Sequence, residues 1–313
     1  MRVGVVFPGQ GSQSVGMGGA LAERFPVAAD VFARAERVLG YDLLAMIRSG
    51  PDAKLRETRC SQPAIYVLNY ALATSAGDAF EVVASAGHSF AEYCSLTLTG
   101  ALDFEEALGL VSERGLAMQA AADRQPGAMA AILGLDADAV RAATAAAQVE
   151  GCVQLANFNA PGQIVISGDR AAVAKAGELA AAAGAKRVIS LNVSGAWHSA
   201  LMAPASERFR PFLDRAQIRM PRFTVISNVD ARPYRDVATI RANLLRSITS
   251  EVLWHAAAEC LVAHGLDRVI EFGGSPVLAP LMKRLPGAPP ALHVGDDKGL
   301  EKLLATPAVA SAG

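Results

Sequence analysis

The segment that decides the fold is EVVASAGHSFAEY, residues 81–93. Its first part, Glu81–Ala86, is a short run of mostly apolar and small residues, which predicts a buried strand. Gly87-His88-Ser89-Phe90-Ala91 follows and leads into a helical pattern. A G-x-S-x-small turn between a strand and a helix is typical of a nucleophile elbow, in which the serine hydroxyl projects from the carboxyl edge of a sheet. The segment therefore predicts an α/β fold with Ser89 at the edge of its sheet.

Ser89 has a simpler interpretation as an ordinary N-cap of the following helix. The usual elbow pattern also has glycine at the fifth position, where this chain has Ala91. The pentapeptide alone leaves both interpretations open, since short motifs recur by chance. If Ser89 is a nucleophile, the backbone amide of Phe90 lies at a helix N-terminus, where it can donate to an oxyanion.

Short apolar runs alternate with longer helical patterns on both sides of this segment, which indicates parallel strands covered by helices. Further strands are predicted at Val3–Phe7, Phe223–Ile226 and Arg268–Glu271. Helices are predicted at Leu21–Leu39, Gln62–Ala76, Phe104–Ala121, Ser199–Arg215, Leu253–His264 and Val277–Arg284.

The middle of the chain has a different order of elements, βαββαβ, which is typical of a ferredoxin-like unit. Strands are predicted at Ala128–Leu133, Val153–Asn157, Gln163–Ser167 and Arg187–Val193, and helices at Ala137–Ala147 and Ala171–Ala183. The turn residues Asn159–Gly162 separate the two middle strands. Such a unit inserted in an α/β domain creates a cleft between two bodies, where ligands commonly bind.

Composition excludes several classes of function. Of 313 residues, 52% are hydrophobic and 19% charged, with a net charge of −1, so we expect a well-filled core and no nucleic-acid or membrane-surface binding. The four cysteines are scattered and the histidines lack ligand spacing, which predicts reduced thiols in the cytoplasm and no metal or redox cofactor. The chain opens on a predicted strand without a charged leader, it has no run of about 20 apolar residues, and its tail after Pro307 is expected to fray.

Two further features suggest chemistry. The loop Pro8–Gln13 carries two glycines that permit close backbone approach, and Gln10 offers a backbone or side-chain donor. The alternative is a merely tight or phosphate-cradling loop, although no GxxxxGK[ST] motif is present. Arg114 falls on the apolar face of the Phe104–Ala121 helix, where a charged guanidinium requires an anion. That anion is either a buried Asp or Glu, or a ligand.

A serine nucleophile requires a base within hydrogen-bonding reach. The five histidines are His88, His198, His255, His264 and His293. Residue types and positions leave the choice open, because catalytic partners meet only in the fold. His88 is a poor candidate, because adjacent side chains on a sharp turn point in different directions.

Three segments occur in an order that is specific to one family. They are Phe7–Gln13 (FPGQGSQ), Gly87–Tyr93 (GHSFAEY) and Asn157–Gln163 (NFNAPGQ). They resemble the signature segments of malonyl-CoA:acyl-carrier-protein transacylases and of the related acyltransferase domains of polyketide synthases. The resemblance extends from about Val3 to about Arg284. It implies an α/β-hydrolase-like catalytic subdomain, residues 1–124 and 195–313, with a ferredoxin-like small subdomain, residues 125–194.

The resemblance also implies roles for single residues. Ser89 matches the nucleophile, and His198, in the segment Ser194–Met202, matches the base. A backbone carbonyl from the segment Arg246–Ile248 orients that base. The backbone amides of Gln10 and Phe90 match the oxyanion hole, and Arg114 matches the arginine that pairs with the malonyl carboxylate.

The implied substrate pocket contains His88, Gln62, Asn157, Trp197 and Ser247. Trp197 resembles the bulky aromatic residue of malonyl-selective relatives, where a large ring crowds a 2-methyl branch. Ser247 stands where the fatty-acid enzymes usually carry glutamine, so its effect on substrate fit stays open.

The function implied by the resemblance is ping-pong transfer by a Ser–His dyad. The malonyl group moves from malonyl-CoA, through a Ser89 ester, to the phosphopantetheine thiol of an acyl carrier protein in fatty acid biosynthesis. Because the family's carriers are acidic, Lys186 with Arg187, or Lys283 with Arg284, are candidate docking residues.

Three alternatives remain. The first is a free-standing acyltransferase that supplies malonyl or a related extender unit to polyketide synthase carriers; the departures at Phe90, Ala91, Ser247 and Gly273–Pro276 keep it open. The second is an acyl-thioester hydrolase on the same scaffold. The third is a non-catalytic binding module, although the retention of Ser89, His198 and Arg114 argues against it.

Overall fold

Two separate sheets organise the part of the chain that the structure describes. The structure is a computed structural model that describes residues 1–305, so the predicted fraying after Pro307 lies outside the described residues. The nine strands found there are β1 (Arg2–Phe7), β2 (Glu81–Gly87), β3 (Ala128–Leu133), β4 (Val153–Ala160), β5 (Gln163–Gly168), β6 (Arg187–Ser190), β7 (Thr224–Ile226), β8 (Arg268–Phe272) and β9 (Ala291–Val294).

The helices cover the parallel sheet and one face of the smaller sheet. In chain order they are α1 (Leu21–Arg24), α2 (Pro26–Leu39), α3 (Leu43–Ser49), α4 (Asp52–Arg56), α5 (Thr58–Ser75), α6 (Glu92–Leu98), α7 (Phe104–Arg124), α8 (Ala137–Ala147), α9 (Arg170–Ala182), α10 (Ala203–Arg215), α11 (Val237–Arg246), α12 (Trp254–Val262), α13 (Leu278–Met282) and α14 (Asp297–Leu304). Among residues 1–305, none of them combines the length and the apolar character that a bilayer crossing requires.

The larger sheet is fully parallel and has the strand order β7-β2-β1-β8-β9. Both of its faces are covered, which explains why its central strands are apolar along almost their whole length. Phe7 at the end of β1 pairs with Gly87 at the end of β2. This register places the loop with Gln10 and the turn with Ser89 side by side at the carboxyl edge, the usual ligand-binding edge of an α/β sheet.

The smaller sheet is antiparallel, with the order β4-β5-β3-β6, and α8 and α9 pack against it. The predicted fold class, a parallel α/β sheet with an inserted ferredoxin-like unit, is confirmed. The two connections to the insertion lie next to each other, because Gly127 N donates to Ser194 O at 3.3 Å. That contact supports our proposal that the small subdomain comprises residues 125–194, between flanking segments 1–124 and 195–313.

The small sheet is also attached directly to the large subdomain. Val252 N donates to Ala156 O at 2.8 Å, and Phe158 N donates to Val252 O at 2.9 Å. These bonds extend β4 against a loop of the large subdomain. They hold the NFNAPGQ segment beside the carboxyl edge of the parallel sheet.

Some predicted elements are corrected. The single helix predicted at Leu21–Leu39 is two helices, because Phe25 is extended and Pro26 begins a new helix at its first position. The predicted helix at Ser199–Arg215 starts as a 3₁₀ turn and becomes α-helical at Ala203. The sequence interpretation did not include β9, α3, α4, α11 or α14.

Candidate active site

Ser89 begins a short 3₁₀ helix, Ser89–Ala91, at the strained turn that leads from β2 into α6. Its φ is +57°, a left-handed conformation that residues other than glycine and asparagine seldom adopt. Gly87 makes the turn possible, because a Cβ there would come within 2.0 Å of Ala91 O. Strain of this kind is characteristic of functional sites.

His198 is the histidine that faces Ser89. Its Nε2 lies 2.8 Å from Ser89 Oγ, and its Nδ1 lies 2.8 Å from the carbonyl oxygen of Ser247. A carbonyl can only accept, so Nδ1 carries the hydrogen and Nε2 is free to accept the Ser89 proton. Burial, together with the smaller effects of the charges of Arg114 and His88, lowers the pKa of His198 to about 3. The ring is therefore neutral at physiological pH.

The remaining four histidines are engaged elsewhere. His88 Nε2 lies 3.0 Å from Asn159 Oδ1, across the junction with the small subdomain. His255 faces Glu259, His264 bonds Cys260 O, and His293 bonds Gly273 O. Of the five histidines, His198 is the one that the structure places within hydrogen-bonding distance of Ser89.

The backbone around His198 is held by a residue that sequence reasoning missed. His198 has a φ of +60°. Gln154 Nε2 donates to His198 O at 3.3 Å and to Thr249 O at 3.4 Å, while its Oε1 accepts from Ala200 N at 3.0 Å. Gln154 lies on β4, so the small subdomain supports the histidine. No motif marks this glutamine in the sequence.

A buried polar network lies on the other side of the turn. The side chain of Asn228 accepts from Ser89 N at 3.0 Å and donates to Ser89 O at 3.1 Å. Glu92 accepts from Asn228 N at 2.8 Å and from Asn228 Nδ2, and its second oxygen accepts from Tyr234. Sequence reasoning missed these three residues, although Glu92 lies within the quoted GHSFAEY segment.

Arg114 is completely buried on α7. Its Nη1 donates to Gln62 Oε1 at 3.0 Å, whereas its Nε and Nη2 have no hydrogen-bond partner. Among residues 1–305 no carboxylate forms an ion pair with it, so the internal salt bridge is not the arrangement found. Burial lowers the pKa of Arg114 to about 10, an effect that Tyr93 and Glu92 partly offset, and the guanidinium stays charged at neutral pH.

The unpartnered nitrogens of Arg114 form one edge of the guanidinium. The same pair of atoms in Arg34 binds Glu105 in bidentate fashion, with Nε at 2.6 Å and Nη2 at 2.9 Å from the two carboxylate oxygens. A buried edge of this type matches the spacing of a carboxylate. An unsatisfied buried charge of this kind favours an anionic ligand, because binding restores the hydrogen bonds lost on burial.

A cavity of about 330 Å³ opens onto Ser89 and His198. Both subdomains contribute to its wall, which contains Gln10, Gly11, Gln13, Arg56, Gln62, His88, Met118, Met129, Asn157, Leu191, Asn192, Val193 and Trp197. The predicted pocket residues His88, Gln62, Asn157 and Trp197 therefore line one space. Ser247 does not line it: its carbonyl holds His198, and its hydroxyl donates to Leu244 O at 2.8 Å. Its place in the predicted pocket is corrected accordingly.

The loop after β1 is shaped to approach the turn at Ser89. A Cβ at Gly9 would come within 2.6 Å of His88 O, so only glycine permits this spacing. The Gln10 side chain donates to Thr58 Oγ1 at 3.2 Å, and Gly11 N donates to Gln13 Oε1 at 2.7 Å. The Gln10 side chain is thus engaged with Thr58, and Gln10 and Gly11 lie in the cavity wall with Ser89.

Comparison with known proteins places this arrangement in a family. The model of the acyl transferase domain matches residues 5–285. The chain belongs to the acyl transferase domain family. The family resemblance predicted from the three motifs is thereby confirmed.

The relatives of this acyl transferase domain cover nearly its whole length. It is 40% identical over 298 residues to the malonyl CoA-acyl carrier protein transacylase of Haemophilus influenzae, covering 94% of this chain and 96% of that protein. An acyl carrier protein S-malonyltransferase from Vibrio cholerae superposes with a TM-score of 0.92 at 39% identity, covering 97% of this chain and 100% of that one. A chain from the complex of a type II polyketide synthase acyl-carrier protein with its malonyl-transacylase superposes with a TM-score of 0.93 at 38% identity, covering 97% and 99%.

Proposed function

We propose that this acyl transferase domain moves a malonyl group from malonyl-CoA to the phosphopantetheine thiol of an acyl carrier protein. The observation that carries the proposal is the unpartnered Nε–Nη2 edge of buried Arg114, whose Nη1 donates to Gln62, a residue in the wall of the cavity that holds the Ser–His pair. A serine esterase that acts on simple acyl groups does not require a buried cation at the position of Arg114. A free carboxylate at the end of the acyl group supplies acceptors for the unpartnered nitrogens of the guanidinium. The names of the relatives support the same substrate and carrier.

In the proposed mechanism, His198 Nε2 removes the proton of Ser89 Oγ as that oxygen attacks the malonyl thioester carbon. The backbone amides of Phe90 and Gln10 stabilise the oxyanion. The intermediate collapses, the C–S bond breaks, and the proton on His198 passes to the departing thiolate of coenzyme A. The thiol of the carrier then attacks the Ser89 ester by the reverse sequence, which gives ping-pong kinetics.

This chemistry involves only the thioester of malonyl-CoA, the Ser89 ester and the thiol of the carrier, so we propose that no resident cofactor takes part. Coenzyme A and the phosphopantetheine arm are substrate and carrier groups. The four cysteines are all free thiols in the structure, which supports the proposed cytoplasmic location. We propose an acyl carrier protein as the macromolecular partner, with no nucleic acid or membrane involved.

We propose that a basic pair on the surface is the docking point for the acidic carrier. Arg284 is committed to the turn of the small sheet, because its Nη1 donates to Gln163 Oε1 at 2.7 Å. Of the two predicted basic pairs, Lys186 and Arg187 are therefore the better candidates for contact with an acidic carrier.

Mass spectrometry of the intact enzyme tests the acyl intermediate directly. After mixing with malonyl-CoA, we expect one malonyl group on Ser89, and its transfer to added holo-carrier. Release of free malonate at the same rate with and without carrier identifies a hydrolase. Absence of the adduct in active enzyme contradicts covalent catalysis.

A second candidate, supply of malonyl units to polyketide synthase carriers, is supported by the neighbouring structure that contains a type II polyketide synthase carrier protein. The chemistry is the same, and the carrier differs. Transfer rates to a fatty-acid carrier and to a type II polyketide carrier, measured side by side, separate the two. We expect the higher kcat/KM with the fatty-acid carrier.

Trp197 is predicted to exclude a branched acyl group. The buried ring lines the cavity and packs against Gly195, where a Cβ would lie 2.5 Å from the ring. Trp197→Ala is expected to raise the kcat/KM ratio of methylmalonyl-CoA to malonyl-CoA by about 10- to 100-fold, the usual effect of one methyl group in a fitted pocket. Trp197→Phe is the conservative control. A wild-type preference for methylmalonyl-CoA contradicts this role.

The rate of Ser89 acylation is expected to be insensitive to His198 protonation between pH 5 and 8. The base acts in its neutral form, which is lost only as the pH falls through a pKa of about 3. Rapid-mix single-turnover assays over this range check the prediction. Because burial raises the pKa of Glu92 to about 7, the profile is repeated with Glu92→Gln. A decline centred near the ordinary histidine pKa of about 6.5 that persists in this variant contradicts the prediction.

A further inference from the structure

The side chain of Asn228 contacts only the backbone of Ser89, the proposed nucleophile. Its Oδ1 accepts from Ser89 N at 3.0 Å, and its Nδ2 donates to Ser89 O at 3.1 Å. One planar carboxamide thus binds the peptide groups on both sides of the Ser89 Cα. Because both peptide planes are tied to the same rigid group, φ and ψ of Ser89 are restrained together. This offsets the strain of its left-handed φ of +57°.

The bond to Ser89 O has a second consequence. The carbonyl of Ser89 and the N–H of Phe90 belong to the same planar peptide unit, in which they point in opposite directions. Fixing the carbonyl therefore also fixes the direction of the Phe90 N–H, which is the proposed oxyanion donor. A small rotation of this peptide would turn the donor away from the developing charge without moving the Ser89 side chain out of the cavity.

Asn228 is itself held in place by Glu92 and Tyr234. One oxygen of Glu92 accepts from Asn228 N at 2.8 Å and from Asn228 Nδ2, and the other accepts from the Tyr234 hydroxyl. All of these groups are buried, with Asn228 and Glu92 each 2% exposed. An amide bonded on both sides has one orientation, so its oxygen faces Ser89 N and its nitrogen faces Ser89 O.

We propose that Asn228 is a positioning residue that orients the Ser89–Phe90 peptide for oxyanion stabilisation, and that Glu92 and Tyr234 orient Asn228. The inference rests on the proposed role of Ser89 as the nucleophile. Asn228 touches neither substrate nor the reacting atoms. Its effect reaches the reaction through the direction of one backbone N–H.

The test compares Asn228→Ala with Asn243→Ala. Asn243 is a matched control, because it is also 2% exposed and binds the same loop through Ser227 Oγ and Asp230 Oδ2, each at 3.0 Å, without contacting Ser89. Thermal unfolding reports the stability of each variant. We expect Asn228→Ala to lower kcat for malonyl transfer by about 100-fold, the effect of losing one oxyanion donor. Asn243→Ala is expected to stay within about threefold of wild type when folded.

A comparison of kcat with the affinity for malonate distinguishes a positioning role of Asn228 from general structural damage. The affinity for free malonate, measured by calorimetry, depends on Arg114 and is expected to change by less than about twofold in Asn228→Ala. Equal kcat values for the two alanine variants, or parallel losses of kcat and malonate affinity in Asn228→Ala, overturn the proposal. Wild-type enzyme that forms no Ser89 adduct overturns the proposed function instead, so the two failures are distinguishable.

Asn228→Asp tests the positioning role of Asn228 if Asn228→Ala does not fold. Asn228→Asp has the same volume and keeps an acceptor for Ser89 N, but it cannot donate to Ser89 O and it places a carboxylate against Glu92. We expect at least a tenfold loss of kcat at pH 8. Adding Glu92→Gln removes the repulsion and supplies an amide opposite the new carboxylate, so part of the rate returns. Wild-type kcat in Asn228→Asp contradicts the inference.

Discussion

Replacing His198 by alanine is expected to lower the rate of malonyl transfer by about 10²- to 10⁴-fold, the usual contribution of general acid–base catalysis. The reason is the pair of 2.8 Å contacts that join Ser89 Oγ, the imidazole and Ser247 O, because no other histidine reaches Ser89 among residues 1–305. Ser89→Ala is expected to abolish the acyl intermediate altogether. Single-turnover acylation and intact-mass measurements check both variants.

The effects of His198→Ala and Ser89→Ala on the transfer rate are not expected to be additive. If Ser89 and His198 act as one unit, the double variant is no slower than Ser89→Ala alone. His264→Ala is the control, since its ring bonds Cys260 O and is remote from the cavity. It should retain wild-type activity within about twofold. Normal acylation in folded His198→Ala would contradict the role of the base.

Arg114→Ala is expected to remove malonyl selectivity and not acyl transfer itself. Loss of a buried, charge-assisted carboxylate pair costs about 2–5 kcal/mol, which corresponds to about 30- to 4,000-fold in kcat/KM for malonyl-CoA. Acetyl-CoA has no carboxylate to pair with the guanidinium, so its transfer is expected to persist or to increase. Rates with the two acyl donors, measured on the same enzyme preparation, give the ratio directly.

Two further variants sharpen this test. Arg114→Lys keeps the charge but lacks the planar edge formed by Nε and Nη2, so we expect an intermediate loss for malonyl-CoA. Arg34→Ala removes a guanidinium that uses the same edge on a surface carboxylate, Glu105, and should leave both rates unchanged. Equal losses with malonyl-CoA and acetyl-CoA in folded Arg114→Ala would show that Arg114 supports the site structurally and does not select the acyl group.

The polar network of Asn228, Glu92 and Tyr234 accounts for a feature of the Ser89 turn that the elbow motif leaves unexplained. The motif explains why small residues surround the serine, since Gly87 leaves no room for a Cβ. It does not explain what keeps Ser89 in a left-handed conformation. Asn228 binds the Ser89 backbone from a loop 139 positions further along the chain, and Glu92 connects that loop back to the segment that contains Ser89.

Local sequence determined the elements and the chemistry of single positions. The apolar run Glu81–Ala86 with its small-residue turn predicted a strand and an elbow, and both were found at residues 81–91. The βαββαβ order predicted a second sheet, because hydrophobic periodicity is a local property. Short helices such as α3 and α4, and the edge strand β9, were missed, since brief elements have too few residues for a clear period.

The tertiary structure decided which of these residues meet. Arg114 was predicted to need an anion, but only the fold shows that no protein carboxylate supplies it among residues 1–305 and that its Nε and Nη2 are left unpartnered. The contacts of Ser89 with His198 and Asn228 join residues 109 and 139 positions apart. Such contacts depend on how strands and loops pack across the whole chain, whereas sequence patterns report only neighbours along it. For that reason the chain's own residues indicated Ser89 as a candidate nucleophile, whereas its contacts with His198 and Asn228 became visible only in the fold.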